Sequence, residues 1–182
     1  MMAGYGKLSM QTLELLATGF LLGFTKGKHG RKKLWQQYDD VWMAVDRKAL
    51  HQVLERFKVN GFVKFVLEDG GREKAVLTPL GKNAHLRYKF RNLELQKAKK
   101  WDKVWRMVLF DIPESRRKVR DALRRKLKDL GFLEFQKSVF LFPFSCEDEV
   151  NFIINFFDIP EHVYYIESHL TPDNSFRVHF RL

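Results

Sequence analysis

Apolar residues recur at helical spacing in some stretches of this chain and in short continuous or alternating runs in others. Leu13, Leu16, Ala17, Phe20, Leu21 and Phe24 fall on one helical face behind Ser9, a residue suited to an N-cap, and predict a buried first helix. Leu34–Ala44 is a short, Trp-rich helical candidate. Asp46 suits the cap of a helix from Arg47 to about Val59, which Asn60-Gly61 should stop. Its apolar stripe is Ala49, Leu50, Val53, Leu54 and Phe57, which leaves Lys48, His51, Gln52, Glu55 and Arg56 pointing elsewhere. Phe62–Leu67 and Glu73–Thr78 then read as strands joined by a turn at 68–71, and Thr78-Pro79 opens another helix. Phe90–Lys103 is dense in charge and poor in apolar residues, which suits an exposed connecting helix.

From Trp105 onward strands and helices alternate. Arg106–Asp111 is a strand, Glu114–Leu130 a helix stopped by Gly131, Phe132–Gln136 and Val139–Phe142 two strands, and Glu147–Phe157 a helix. Val163–His169 adds a strand, and the alternation in Phe176–Leu182 suggests an edge strand. The core order βαββαβ is the ferredoxin-like sequence of elements. In the first half, the order of helices followed by a two-stranded wing and a closing helix is that of a winged helix-turn-helix domain. The segment LERFKVNGFVKFVLEDGGREKAVLTPLGK resembles the recognition-helix and wing run of that family. The expected fold class is therefore α+β, with a winged helix over 1–90, a charged linker helix over 91–103, and a ferredoxin-like domain that dimerises over 104–182.

Charge sharpens this division. The chain of 182 residues carries 33 Lys+Arg and 22 Asp+Glu, a net charge of +11 that favours polyanionic partners. Residues 1–100 hold 20 Lys+Arg and 9 Asp+Glu, whereas 101–182 hold 13 of each, so the whole excess lies in the first part. The winged-helix resemblance implies that the Arg47–Val59 helix enters the major groove of double-stranded DNA. Gln52 would read adenine, Arg56 or Lys48 would read guanine or hold phosphate, and His51 lies on the same face. Arg72 and Lys74 on the wing would meet the backbone. Lys26–Lys33, KGKHGRKK, reads as a loop whose Lys28, Arg31 and Lys32 are suited to phosphate contacts or to plain solvation. It is not a P-loop, because the glycine spacing is wrong and His29 follows Lys28.

The segment WRMVLFDIPESRRKVRDALRRKLKDLGFLEFQKSVFLFP, Trp105–Pro143, resembles the central domain of the PaaX family of transcriptional repressors. That domain is related in turn to the CRISPR-associated adaptation protein Cas2. The likeness spans roughly Trp105–Leu170, with the DIPE, arginine-rich, LGF and QKSVF blocks in the family's order. PaaX proteins also carry an N-terminal winged helix, which agrees with the separate reading of the first half. The family's further C-terminal domain, and the acyl-coenzyme A sensing known in the family, are not expected within these residues. The resemblance implies a cytoplasmic repressor acting as a homodimer. The rival readings are a Cas2-like nuclease and a subunit of a CRISPR adaptation complex. In the Cas2 relatives an aspartate at the end of the first strand is associated with divalent metal and phosphodiester cleavage, and Asp111 matches that position. The nuclease reading alone calls for a cofactor, Mg²⁺ bridging two such carboxylates across a dimer axis. Equally, Asp111 suits a strand terminator whose carboxylate caps the following helix.

Other chemistry finds little support. Arg117, Arg120, Arg124 and Lys128 form a cationic ridge opposite the apolar stripe Val119, Ala122, Leu123, Leu127 and Leu130. Such a ridge suits a second nucleic-acid surface, a dimer contact or a solvated face. Among the histidines no H-E-x-x-H pair occurs, and there is no G-x-S-x-G elbow. His169 and His179 could lie on neighbouring strands, but without a carboxylate beside them they read as ordinary sheet histidines. Cys146 is the only cysteine, which excludes disulfides and cysteine-based zinc fingers and fits a reducing compartment, although its place at a helix start favours a thiolate. The apolar run Met10–Phe24 is interrupted by Gln11, Thr12, Glu14, Thr18 and Gly19, and neither a membrane span nor a signal peptide is expected from it.

Overall fold

A computed structural model describes residues 7–17, 22–25, 47–68, 72–96 and 100–182. The loop Lys26–Lys33, with Lys28, Arg31 and Lys32, and the Leu34–Ala44 candidate lie outside the described residues, Lys26 included. The chain is a mixed α+β protein that divides into two units, Met1–Lys89 and Phe90–Leu182.

In the first unit, α1 (Lys7–Ala17) precedes β1 (Leu22–Thr25), α2 (Arg47–Val59), β2 (Val63–Glu68), β3 (Arg72–Leu77) and α3 (Pro79–Arg91), whose last two residues pass into the second unit. The strands form an antiparallel sheet in the order β1-β3-β2. Met10, Leu13 and Leu16 of α1 meet Leu50, Val53, Leu54 and Phe57 of α2 over Val63 and Ala75, the buried core of this unit. Each Leu- or Phe-sized side chain withdrawn from water here is worth about 1.5–3 kcal/mol. Two expectations are corrected. The first helix ends at Ala17, and Leu22–Thr25 is a strand on β3, because a short apolar run is compatible with either period and the free edge of β3 supplies ladder partners. Ser9 lies inside α1, buried, not at its cap.

Helix α2 ends in a Schellman turn. Gly61 sits at φ +70, its N–H bonds the Lys58 carbonyl at 2.9 Å, and the Phe62 N–H bonds the Phe57 carbonyl at 2.8 Å. Thr78 then ties the next helix to this corner. Its hydroxyl donates to the Gly61 carbonyl at 2.6 Å and accepts from the Gly81 N–H at 3.1 Å. The approach is so close that a Cβ on Gly81 would lie 2.0 Å from the Phe62 carbonyl oxygen.

In the second unit, β4 (Trp105–Phe110) is followed by a 3-10 turn (Glu114–Arg116), α4 (Arg117–Asp129), β5 (Leu133–Gln136), β6 (Val139–Phe142), α5 (Glu147–Phe157), β7 (Val163–Ser168) and α6 (Asn174–Phe180). The sheet runs β5-β6-β4-β7 with every neighbouring pair antiparallel. Register places Val108, Phe110, Phe140, Phe142 and Val163 on one face, where they pack with Leu123 and Leu127 of α4 and Val150, Ile153 and Ile154 of α5. The opposite face carries Met107 beside Ile166 and Leu109 beside Tyr164.

The expected edge strand over Phe176–Leu182 is instead α6. Its residues satisfy both periods: Phe176, Val178 and Phe180 alternate, yet Phe176 and Phe180 are also four apart. The contact that decides is Trp105, which meets both rings at 5.9 and 5.8 Å while Val178 stays exposed. The expected linker helix is corrected too: α3 stops at Arg91, and the described residues beyond it, 92–96 and 100–104, are not helical. Within the second unit, Phe90 stacks on Phe156 at 4.1 Å, and Leu93 and Leu95 pack against its core.

Candidate nucleic-acid interface and the second unit

Helix α2 separates its faces as its sequence demands. Leu50, Leu54 and Phe57 are at most 1% exposed, and Lys48, His51, Gln52 and Arg56 stand exposed on the other side together with Glu55. Arg72 opens β3 opposite Glu68, and Lys74 lies mid-strand, half-buried, opposite Val66. Lys58, in the last turn of α2, lies over the Phe65 ring of β2 at 5.2 Å, a contact that joins helix to hairpin. The α2 residues thus share one face, while Arg72 and Lys74 occupy a strand of the same unit.

The ridge on α4 is not a bare polycation. Arg117 reaches Glu114 at 3.7 Å and Asp121 at 3.8 Å, and Arg120 bonds Glu114 at 2.8 Å and the Ile112 carbonyl at 3.3 Å. Arg124 pairs with Glu134, as does Lys128 at 2.5 Å. These hydrogen bonds hold Glu114 and Glu134 below the usual carboxylate range, Arg120 acting on the first, Lys128 and Arg124 on the second. Each of the four proposed cations therefore meets an acid of its own unit. Nearby, Arg116 donates to the carbonyls of Phe157 and Asp158, both at 2.8 Å, and so satisfies the open end of α5. Lys126, on the same helix, is buried over the Phe90 ring at 5.0 Å, and desolvation lowers its pKa.

Asp111 is exposed just beyond β4, and its backbone N–H bonds the His162 carbonyl at 2.9 Å. The capping alternative fails, because neither the 3-10 turn nor α4 has a side-chain N-cap bond. No group of three potential metal ligands occurs among the described residues. The nuclease reading would therefore need Asp111 of two protomers, with water and phosphate oxygens completing the shell of Mg²⁺.

Cys146 does stand at the start of α5, but burial pushes its thiol up to about 12, which overrides any favour for a thiolate. His169 and His179 do not sit on paired strands. The first follows β7, with its Nδ1 3.1 Å from the Lys103 carbonyl, and the second lies in α6. Sequence reasoning missed Arg106. This residue sits in the central strand, 6% exposed at its side chain, and grips Asp102 through both terminal nitrogens at 2.7 and 2.6 Å. It also bonds Glu167 at 3.1 Å and the carbonyls of Val104 and Pro143 at 2.9 and 3.1 Å. An arginine inside the otherwise apolar run WRMVLF was the available signal.

An antiparallel four-stranded sheet with two helices on one face and an exposed aspartate past its first strand defines a small α+β domain. Residues 98–177 match the PaaX protein central Cas2-like domain, so the second unit contains a domain similar to that one. The curated proteins give no match to the chain. No helix among the described residues is long and apolar enough to cross a membrane.

Proposed function

We propose that this chain is a DNA-binding regulator of transcription in the cytoplasm, which represses by occupying double-stranded DNA as a homodimer. On this reading the first unit is a winged helix-turn-helix whose α2 enters the major groove with Lys48, His51, Gln52 and Arg56, while the β2–β3 hairpin is the wing, with Arg72 and Lys74 on the backbone. The loop cations Lys28, Arg31 and Lys32 add phosphate contacts. The second unit is a ferredoxin-like pairing platform. The observation that carries the proposal is the polar, largely basic outer face of α2, set in the part of the chain that holds the entire positive excess. The family match supports a regulator of the PaaX kind.

A dimer would present two α2 helices to half-sites about one helical turn, or a multiple of it, apart. If each protomer neutralises about three phosphates, the log–log salt slope of binding is on the order of −5. The test is genome-wide footprinting of the wild type beside the alanine triple variant at Lys48, Gln52 and Arg56. Loss of discrete footprints is expected, and unchanged footprints would move the reading surface elsewhere. Magnesium-dependent digestion of nucleic acid that vanishes in Asp111→Ala, with the fold intact, would instead favour a nuclease. Stable association with an integrase and no operator preference would favour an adaptation-complex subunit.

A further inference from the structure

We infer that Glu55 of α2 is a base-reading residue, whose carboxylate accepts a hydrogen bond from the exocyclic amino group of a cytosine in the DNA site. This inference rests on the DNA-binding reading above and adds a position to it. The rotation of α2 about its axis is fixed by its core side, because Leu50, Val53, Leu54 and Phe57 are all buried in the cluster shared with α1 and the sheet. At about 3.6 residues per turn, Lys48, Gln52, Glu55 and Val59 lie within about 30° of the direction opposite that stripe. His51 and Arg56 flank this line, each about 70° from the same direction. All four residues of the line are exposed, Val59 at 85%. Lys48 and Glu55, seven positions apart, differ by only about 20° around the axis. Any seating of α2 that brings Lys48 and Gln52 to the bases therefore brings Glu55 there as well.

A carboxylate in that place has few partners. It accepts hydrogen bonds and donates none. Along the groove walls it meets phosphates, which repel it. On the floor, guanine presents two acceptors, and thymine an acceptor and a methyl group, so neither matches it. Adenine sets its N7 acceptor beside its amino donor, whereas cytosine presents the amino donor alone. Glu55 thus selects cytosine and works against other bases, since a desolvated carboxylate facing an acceptor is costly. Lys58, one turn further on, lies over the Phe65 ring of β2, to one side of this line. The helix end is held by the Gly61 turn and by the Thr78 hydroxyl on the Gly61 carbonyl, which keeps the line in place. Gln52 and Glu55 stand about 4.5 Å apart along the axis, a little over one base step of about 3.4 Å, so they read adjacent or nearly adjacent bases.

The test is selection of binding sites from a randomised duplex library by the full chain. The wild type, Glu55→Gln, Glu55→Ala, Gln52→Ala and Glu94→Gln are compared, with thermal melts to confirm folding. Glu94 is exposed in the second unit and controls for the loss of a negative charge. The wild-type motif should hold a cytosine within about two base pairs of the position that Gln52→Ala relaxes. Glu55→Gln should turn that cytosine towards adenine, the base matched by a side-chain amide, and Glu55→Ala should leave the position degenerate. The rest of the motif should stay as in the wild type, and Glu94→Gln should select the wild-type motif throughout. In competition, the preference for the cytosine site over its single-base variants should fall from about tenfold in the wild type to near unity in Glu55→Ala. A motif unchanged in both Glu55 variants overturns the inference while the DNA-binding reading stands. So does a motif weakened evenly at every position, which would give Glu55 a part in holding α2, or a Glu94→Gln motif altered in the same way. A wild type that binds duplex without enriching any sequence overturns it too, and one that ignores duplex DNA sinks both readings.

Discussion

Arg106 shows how one side chain can hold a small domain together. A buried guanidinium is tolerable only when its donors are matched, and here every nitrogen has an oxygen within 3.1 Å. Arg106→Leu leaves the Val104 and Pro143 carbonyls and two carboxylates without that fork, and should cost about 2–3 kcal/mol in denaturant melts. Arg106→Lys should recover only part of this, because an ammonium does not reproduce the planar bidentate pair. The same contact holds the Asp102 carboxyl at about 2, chiefly through the hydrogen bond from Arg106. Its folded pKa lies below the unfolded value near 3.9, so its contribution is complete above that pH and is lost as pH falls towards 2. Because the Asp102 side chain is half-exposed, solvent reduces the size of this effect. Denaturant titrations across that window should show a steeper acid decline for the wild type than for Arg106→Leu. Equal slopes would assign the decline to other carboxylates.

At the level of elements, the close contact under α3 invites the most direct test. Gly81→Ala would drive a methyl into the Phe62 backbone, so α3 must move, at a cost of about 1–3 kcal/mol. A melting midpoint equal to the wild type would mean that the corner yields freely. The strongly periodic elements were legible in the chain: α2 with its Asn60-Gly61 stop, the β2–β3 pair, and the run from β4 to β7 all follow from stripe, alternation and stop signals. Two pieces were not. The segments at 22–25 and 174–180 are short, and the few apolar residues in each fit both periods. Partners remote in sequence decide each case, β3 for the first and Trp105 for the second. Of the candidate site, the exposed face of α2 could be read from its stripe. The acids that meet the α4 ridge could not, since Glu134 reaches Arg124 and Lys128 only once β5 lies beside the helix.

At the scale of the molecule, a positive first half and a neutral second half suit two kinds of partner, an anionic polymer and a second copy of the chain. The sheet face away from α4 and α5 carries Tyr164 at 61% and Ile166 at 43% exposure beside half-buried Leu109 and Met107. If that face pairs two protomers, the double variant Tyr164→Lys, Ile166→Lys should sediment as a monomer and bind an operator more weakly, through reduced avidity. A variant that remains dimeric would place the contact elsewhere. The Arg106 clasp also governs where the polypeptide can be cut. Asp102, Trp101, Leu95, Leu93 and Phe90 all precede the first strand of the second unit yet anchor to it. A recombinant piece opening at Phe90 should therefore melt well above one opening at Val104, where the guanidinium would keep Glu167 but be deprived of its principal counter-ion.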